Sequence, residues 1–227
     1  MNEFIFIIHS FILSISALLC LRLGSAALTV FLSLTTLLAN LLVAKQIGLA
    51  GFIVTATDAY IIGATLCMNL LQEYYGSKAA RNALYLSFGA LALTTILVQL
   101  HLLYMPAACD STHAYFQAIL GSTPRILIAS LVSFFLSQNL DRLLFGVLKQ
   151  QFPQTPLAYR FYASAFISQA FDTVFFTFFG LYGILDHIFD VMLVSFIVKT
   201  AAMLIVSPAL WLSRFIANPL RTHEPTV

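Results

Sequence analysis

Residues 188–212 read IFDVMLVSFIVKTAAMLIVSPALWL, an apolar run interrupted near its midpoint by one lysine, Lys199. About 20 mainly apolar residues at 1.5 Å each cover roughly 30 Å of hydrocarbon, so a run of this length predicts a transmembrane helix. Working back toward the N-terminus, comparable runs occupy roughly 161–185, 125–148, 82–104, 52–75, 27–44 and 4–21. Composition agrees: 60% of residues are hydrophobic, 9% are charged, and the mean hydropathy is +0.94. Soluble domains carry about 25% charged residues because their surface meets water. Most of this surface must meet lipid instead. The expected fold is all-α, a polytopic transmembrane helical bundle of about seven spans. A single membrane domain over residues 1–215 would be followed by a short cytoplasmic tail, 216–227.

The first run lacks a basic n-region, starting Met1-Asn2-Glu3-Phe4, and no small-residue cleavage site follows it, so it is expected to be a retained helix rather than a signal peptide. A net charge of +2 and a pI near 8.5 are too mild for a nucleic-acid partner. Cys20, Cys67 and Cys109 stand apart, without C-x-x-C or Cys/His spacing, so neither a metal site nor a disulfide framework nor any cofactor is expected. Arginine and lysine placement gives the orientation. With seven spans, one side receives Arg22, Lys78, Arg81, Lys149, Arg160, Arg214 and Arg221, the other only Lys45 and Arg125, with Glu3, Asp110 and Asp186. The positive-inside rule then sets the N-terminus outside and the C-terminus in the cytoplasm, in the cytoplasmic (inner) membrane.

Ionisable groups inside a bilayer are costly and need a partner or water. Spans five and six carry a repeat, S-x-F-[LI]-S-Q-x-[LF]-D. It runs Ser133 to Asp141 and again Ser164 to Asp172, a spacing of 31 residues (133 to 164). Consecutive spans are antiparallel, so the repeat presents two similar polar faces in opposite directions, as inverted elements of transporters do. Ser137, Asp141 and Phe145 step by four and share a face, as do Ser168, Asp172 and Phe176, with Gln138 and Gln169 further round. Serines at such positions also serve as plain helix–helix packing. Span three adds Asp58 toward its outer end, and Asn69, Gln72 and Glu73 toward its inner end. Lys199 almost requires a carboxylate, and Asp172 matches it in depth. Asn40, Lys45, Gln99, His101 and Arg125 gather at the outer ends, while His9 is read as a packed or interfacial residue. Phenylalanine is abundant (21), and although most rings would face lipid, a few turned inward could stack on a planar ligand.

With these segments in place the chain resembles the queuosine-precursor transporter family, also called the vitamin-uptake-transporter family. The resemblance spans about residues 35–212. It rests on Asn40 through Lys45, on Asn69-Leu70-Leu71-Gln72-Glu73-Tyr74-Tyr75-Gly76 leading to Lys78 and Arg81, on Arg125 through Asp141, on Ser164 through Thr173, and on Lys199. The chain departs from the family at Asn69, where the family usually has Asp, and its first span is additional to a six-helix core. The resemblance implies uptake of a 7-deazaguanine-type base: the 7-cyano or 7-aminomethyl compound, or queuine. A guanine-like edge offers donors and acceptors that Asn, Gln, Asp and Glu can match.

The leading expectation is therefore a secondary transporter acting as a monomer or homodimer, with lipid and a small-molecule substrate as its partners. Asn40, Asn69, Glu73, Gln138, Asp141, Gln169 and Asp172 would form the polar path, and Arg125 and Lys199 would balance carboxylates and help switch states. A second expectation is a substrate-capture subunit that needs a separate energising module. An intramembrane enzyme is the third and weakest, because no H-E-x-x-H or G-x-S-x-G segment is present.

Overall fold

The computed structural model describes residues 1–43, 45–49, 51–121, 124–183 and 188–217. Its helices are α1 (Asn2–Leu23), α2 (Ser25–Leu41), α3 (Asp58–Tyr74), α4 (Gly76–Leu102), α5 (His113–Leu120), α6 (Pro124–Gln151), α7 (Leu157–Phe176) and α8 (Ile188–Ile216). A short hairpin, β1 (Gln46–Leu49) and β2 (Phe52–Thr55), joins α2 to α3, and a π-helical stretch, Thr177–Leu181, extends α7. Seven long helices thus correspond to the seven apolar runs. Four of them contain segments long and apolar enough to cross a membrane on length and composition: Asn2–Leu23, Gly76–Leu102, Ile128–Gln151 and Met192–Ile216. The expected tail from residue 218 onward, Asp186 and Arg221 lie outside the described residues.

α3 falls short of that criterion because it is 17 residues long and carries Asp58, Asn69, Gln72 and Glu73, which its place in the bundle tolerates. It packs against α1, α2, α4, α6, α7 and α8, and 13 of its 17 residues are buried. A helix ringed by protein needs no lipid-compatible surface, so Asp58, Thr65, Asn69 and Gln72 are tolerated there. The outer helices carry the apolar exterior instead, with Ile12, Leu19, Leu86, Leu93, Leu193 and Leu204 exposed.

The run expected as one span over 52–75 is divided. Residues 52–55 pair antiparallel with β1, in the register Gln46↔Thr55 through Leu49↔Phe52, and the helix begins only at Asp58. Phe-Ile-Val-Thr is a β-forming sequence, and Gly51 supplies the positive φ (87°) that a tight hairpin turn requires. The hairpin lies across one end of the bundle. Asn2 Nδ2 donates to the Gly48 carbonyl (2.8 Å), and β2 packs on α8.

The opposite end gathers the C-termini of α1, α3, α6 and α8 with the N-termini of α4 and α7. Tyr75 Oη donates to the Leu21 carbonyl (3.2 Å), and the Tyr74 and Ser213 hydroxyls lie 2.8 Å apart. Arg22, Lys78, Arg81, Lys149, Arg160 and Arg214 all fall on the helix ends at this side. We call it the basic end, as opposed to the hairpin end.

Candidate functional site

The two S-Q-x-x-D segments interlock. Ser133 Oγ donates to Asp172 Oδ1 at 2.7 Å, joining the leading serine of the first segment to the aspartate of the second. On the other side the contact is looser: Asp141 Oδ1 has Ser168 Oγ at 3.5 Å, while Ser164 Oγ donates to the Phe161 carbonyl of its own helix (3.3 Å). Both glutamines reach one hydroxyl: Gln138 Nε2 and Gln169 Nε2 donate to Thr65 Oγ1 at 3.2 and 3.3 Å. Thr65 Oγ1 in turn donates to the Ile61 carbonyl (3.1 Å), so its lone pairs are available to the two amides. The two segments therefore meet on α3, at Thr65.

Its two aspartates have different third partners. Asp172 Oδ2 lies 2.7 Å from Lys199 Nζ, the pairing their depth suggests, and Lys199 also donates to Thr173 Oγ1 (3.2 Å). Asp141 Oδ2 instead accepts from the neutral Asn69 Nδ2 (2.7 Å), and Asn69 further donates to the Thr65 carbonyl (2.9 Å). The Asp172 half is charged and the Asp141 half carries no cation among these contacts.

A cavity of about 590 Å³ opens beside the charged half. Its walls come from the second half of α2 (Thr36, Asn40), the hairpin (Gln46, Thr55), the start of α3 (Thr57, Asp58, Ile61), α6 (Ser130, Phe134, Ser137, Gln138), α7 (Asp172, Thr173, Phe176) and α8 (Ser195, Lys199). Volumes of roughly 300–1,000 Å³ suit small-molecule ligands. Asn40 closes one wall by accepting from Ser130 Oγ and donating to the Thr36 carbonyl (3.1 Å). Of the residues expected to form the path, Asn40, Gln138, Asp172 and Lys199 line this cavity. Asn69, Asp141 and Gln169 stand behind its floor, toward the basic end.

Glu73 lies at the basic end itself. Arg160 Nη2 is 2.9 Å from Oε1 and Lys149 Nζ is 3.1 Å from Oε2, so the carboxylate bridges α3 to α7 and α6. Lys149 Nζ also donates to the Glu73 carbonyl (2.7 Å), and the Arg160 guanidinium lies 5.6 Å from the centre of the Phe145 ring. Sequence alone assigns Lys149 and Arg160 to topology; folding makes them the clasp on Glu73. Arg125 is exposed at the start of α6, and its Nε donates to the Phe179 carbonyl of the π-helical stretch (2.8 Å). Sequence reasoning also left Thr65 and Asp58 out of the path. An aspartate three residues after a β-strand-like FIVT and inside an otherwise apolar run was the available signal for Asp58. His9 is packed, as expected, edge-on to Tyr60 (4.4 Å between ring centres).

A lipid-facing helix bundle holding a mainly apolar cavity with a few convergent polar groups, and an ion-pair cluster at its basic end, defines an integral membrane protein built to accommodate a small solute. The chain belongs to the family described as putative vitamin uptake transporter, whose pattern it matches over residues 59–213. It is also 34% identical over 193 residues, 82% of either chain, to a protein from Bacillus subtilis (strain 168) named "Probable queuosine precursor transporter". No solved structure matches the chain.

Proposed function

We propose that this protein imports a queuosine precursor, a 7-deazaguanine-type base, across the cytoplasmic membrane for tRNA queuosine modification. The observation that carries the proposal is the cavity around Asp172–Lys199, in a chain of this family and with this relative. The positive-inside rule puts the basic end in the cytoplasm, so the cavity faces outward and the hairpin lies at its external mouth. A purine-like ring would lie between Phe134 and Phe176, its polar edge turned to Gln138, Asn40 and the carboxylates.

Release inward requires the basic end to open. That step separates Glu73 from Arg160 and Lys149 and lets the Asp141, Ser164 and Ser168 face receive what Asp172 and Ser133 held. The two aspartates serve as separate stations, each with its own partners, rather than as a catalytic dyad, and the protein acts as a carrier rather than an enzyme. The test is uptake by this chain expressed alone, as monomer or homodimer, in cells unable to make queuosine, with each precursor in competition. Restored tRNA queuosine is expected. A strict need for an added ATPase would replace the stand-alone carrier with a capture subunit, and no uptake under either condition would overturn the assignment.

A further inference from the structure

The cavity is electrically unbalanced. Among its described lining residues the ionisable side chains are Asp58, Asp172 and Lys199, two carboxylates against one ammonium. Lys199 donates to Asp172 at 2.7 Å and to Thr173 at 3.2 Å, and attracts Asp58 through space without hydrogen-bonding to it. Asp58 is 3% exposed, and its Oδ2 is buried without a hydrogen-bond partner among the described residues. Its position at the start of α3 puts it near the positive end of the helix dipole, which makes a carboxylate tolerable there. The dipole does not supply the missing donor to Oδ2. Gln138, 1% exposed and also lining the cavity, is in the same condition, with Oε1 lacking a donor. Two buried acceptors and one excess negative charge therefore face the same space.

We infer that Asp58 is the counter-ion for a cationic group on the transported molecule, so that the cavity selects a base carrying an ammonium arm over one carrying a neutral arm. This rests on the transport assignment above and deepens it, since it chooses among precursors by charge. An alkylammonium is protonated at neutral pH, as a lysine side chain is. It brings the N–H donors that Asp58 Oδ2 lacks and a second positive charge to set against the second carboxylate, so that Lys199 keeps its bond to Asp172. A nitrile in the same place brings neither. A carboxylate buried next to a ligand's charge also penalises every ligand without one, which is how such sites reject neutral analogues.

The experiment is competition for uptake between the 7-aminomethyl base and its 7-hydroxymethyl analogue, close in size and uncharged. It is run on the wild-type chain and on Asp58→Asn, with Asp58→Glu as the conservative variant. Wild type is expected to favour the amine by about tenfold or more, the discrimination a single desolvated ion pair provides. In Asp58→Asn that ratio should collapse toward one, chiefly through loss of the amine, and Asp58→Glu should restore part of it. If Asp58→Asn does not reach the membrane, the wild-type ratio decides alone, and no preference for the amine overturns the inference. An unchanged ratio in Asp58→Asn, or an equal fall for both compounds, overturns it as well. If wild type moves neither compound, the transport assignment fails first, a result distinct from the others.

Discussion

Breaking the Asp172–Lys199 pair provides the sharpest test of how the bundle holds its charges. The Nζ–Oδ2 distance is 2.7 Å, and the lysine and aspartate side chains are only 5% and 13% exposed. Removing one partner strands the other's charge, which costs about 3–5 kcal/mol when the pair is buried. Asp172 borders a cavity wide enough for water, so the lower end, about 3 kcal/mol, applies. For a protein of this size each kcal/mol lowers Tm by roughly 2–4 °C, so Asp172→Asn and Lys199→Met should each lose about 6–12 °C. The double variant removes both members of the pair, leaving only Asp58 without the through-space attraction of Lys199, and should lose less than either single variant. Thermal unfolding of the detergent-purified protein, followed by size exclusion of a fluorescent fusion, measures all three, and uptake is measured in parallel. We expect uptake to be absent in every variant, because the double change mends stability without restoring the charged wall. Additive Tm losses in the double variant would refute the reasoning, as would normal uptake by any of them.

The remaining expectations concern the scaffold. Arg160→Ala should destabilise the protein by about 2–4 kcal/mol because it leaves Glu73 and the Phe145 face without their buried partner. Lys149→Ala, whose side chain is 36% exposed, should cost no more than about 1 kcal/mol; equal losses in Tm would contradict the burial asymmetry. Thr65→Val leaves two buried amide donors without their acceptor, at about 1–3 kcal/mol each, and Thr65→Ser should recover most of the loss. A Tm for Thr65→Val matching wild type would remove Thr65 from the centre of the repeat. At Gly146 a Cβ would lie 2.8 Å from Gln72 Nε2, whose amide donates to the Arg142 carbonyl (2.9 Å). Gly146→Ala should displace that amide and cost about 1–2 kcal/mol; combined with Gln72→Ala it should add almost nothing further, which a double-variant Tm checks.

Some of this protein could be read from its residues one segment at a time. Lipid exposure follows from average composition, because a surface poor in charge has no other stable solvent. The long helices follow from the length of each apolar run, and the S-Q-x-x-D repeat, with antiparallel neighbours, implies two opposed polar faces. The Asp172–Lys199 pair could be anticipated from depth alone, since a mid-membrane ammonium tolerates little else. Which side chains share a space depends on helix rotation and neighbour order, and these are set by contacts between segments far apart in the chain. Thr65 as the meeting point of Gln138 and Gln169, the clasp of Arg160 and Lys149 on Glu73, and the retreat of Asn69 and Asp141 behind the cavity floor are all of that kind. The hairpin is another, since Phe52–Thr55 is apolar enough for a span and becomes a strand because β1 and α8 offer it partners. Tertiary structure also placed Asp58 in the cavity wall with an oxygen that no described residue hydrogen-bonds. The identity of each polar residue is local, but whether it is satisfied depends on everything packed around it.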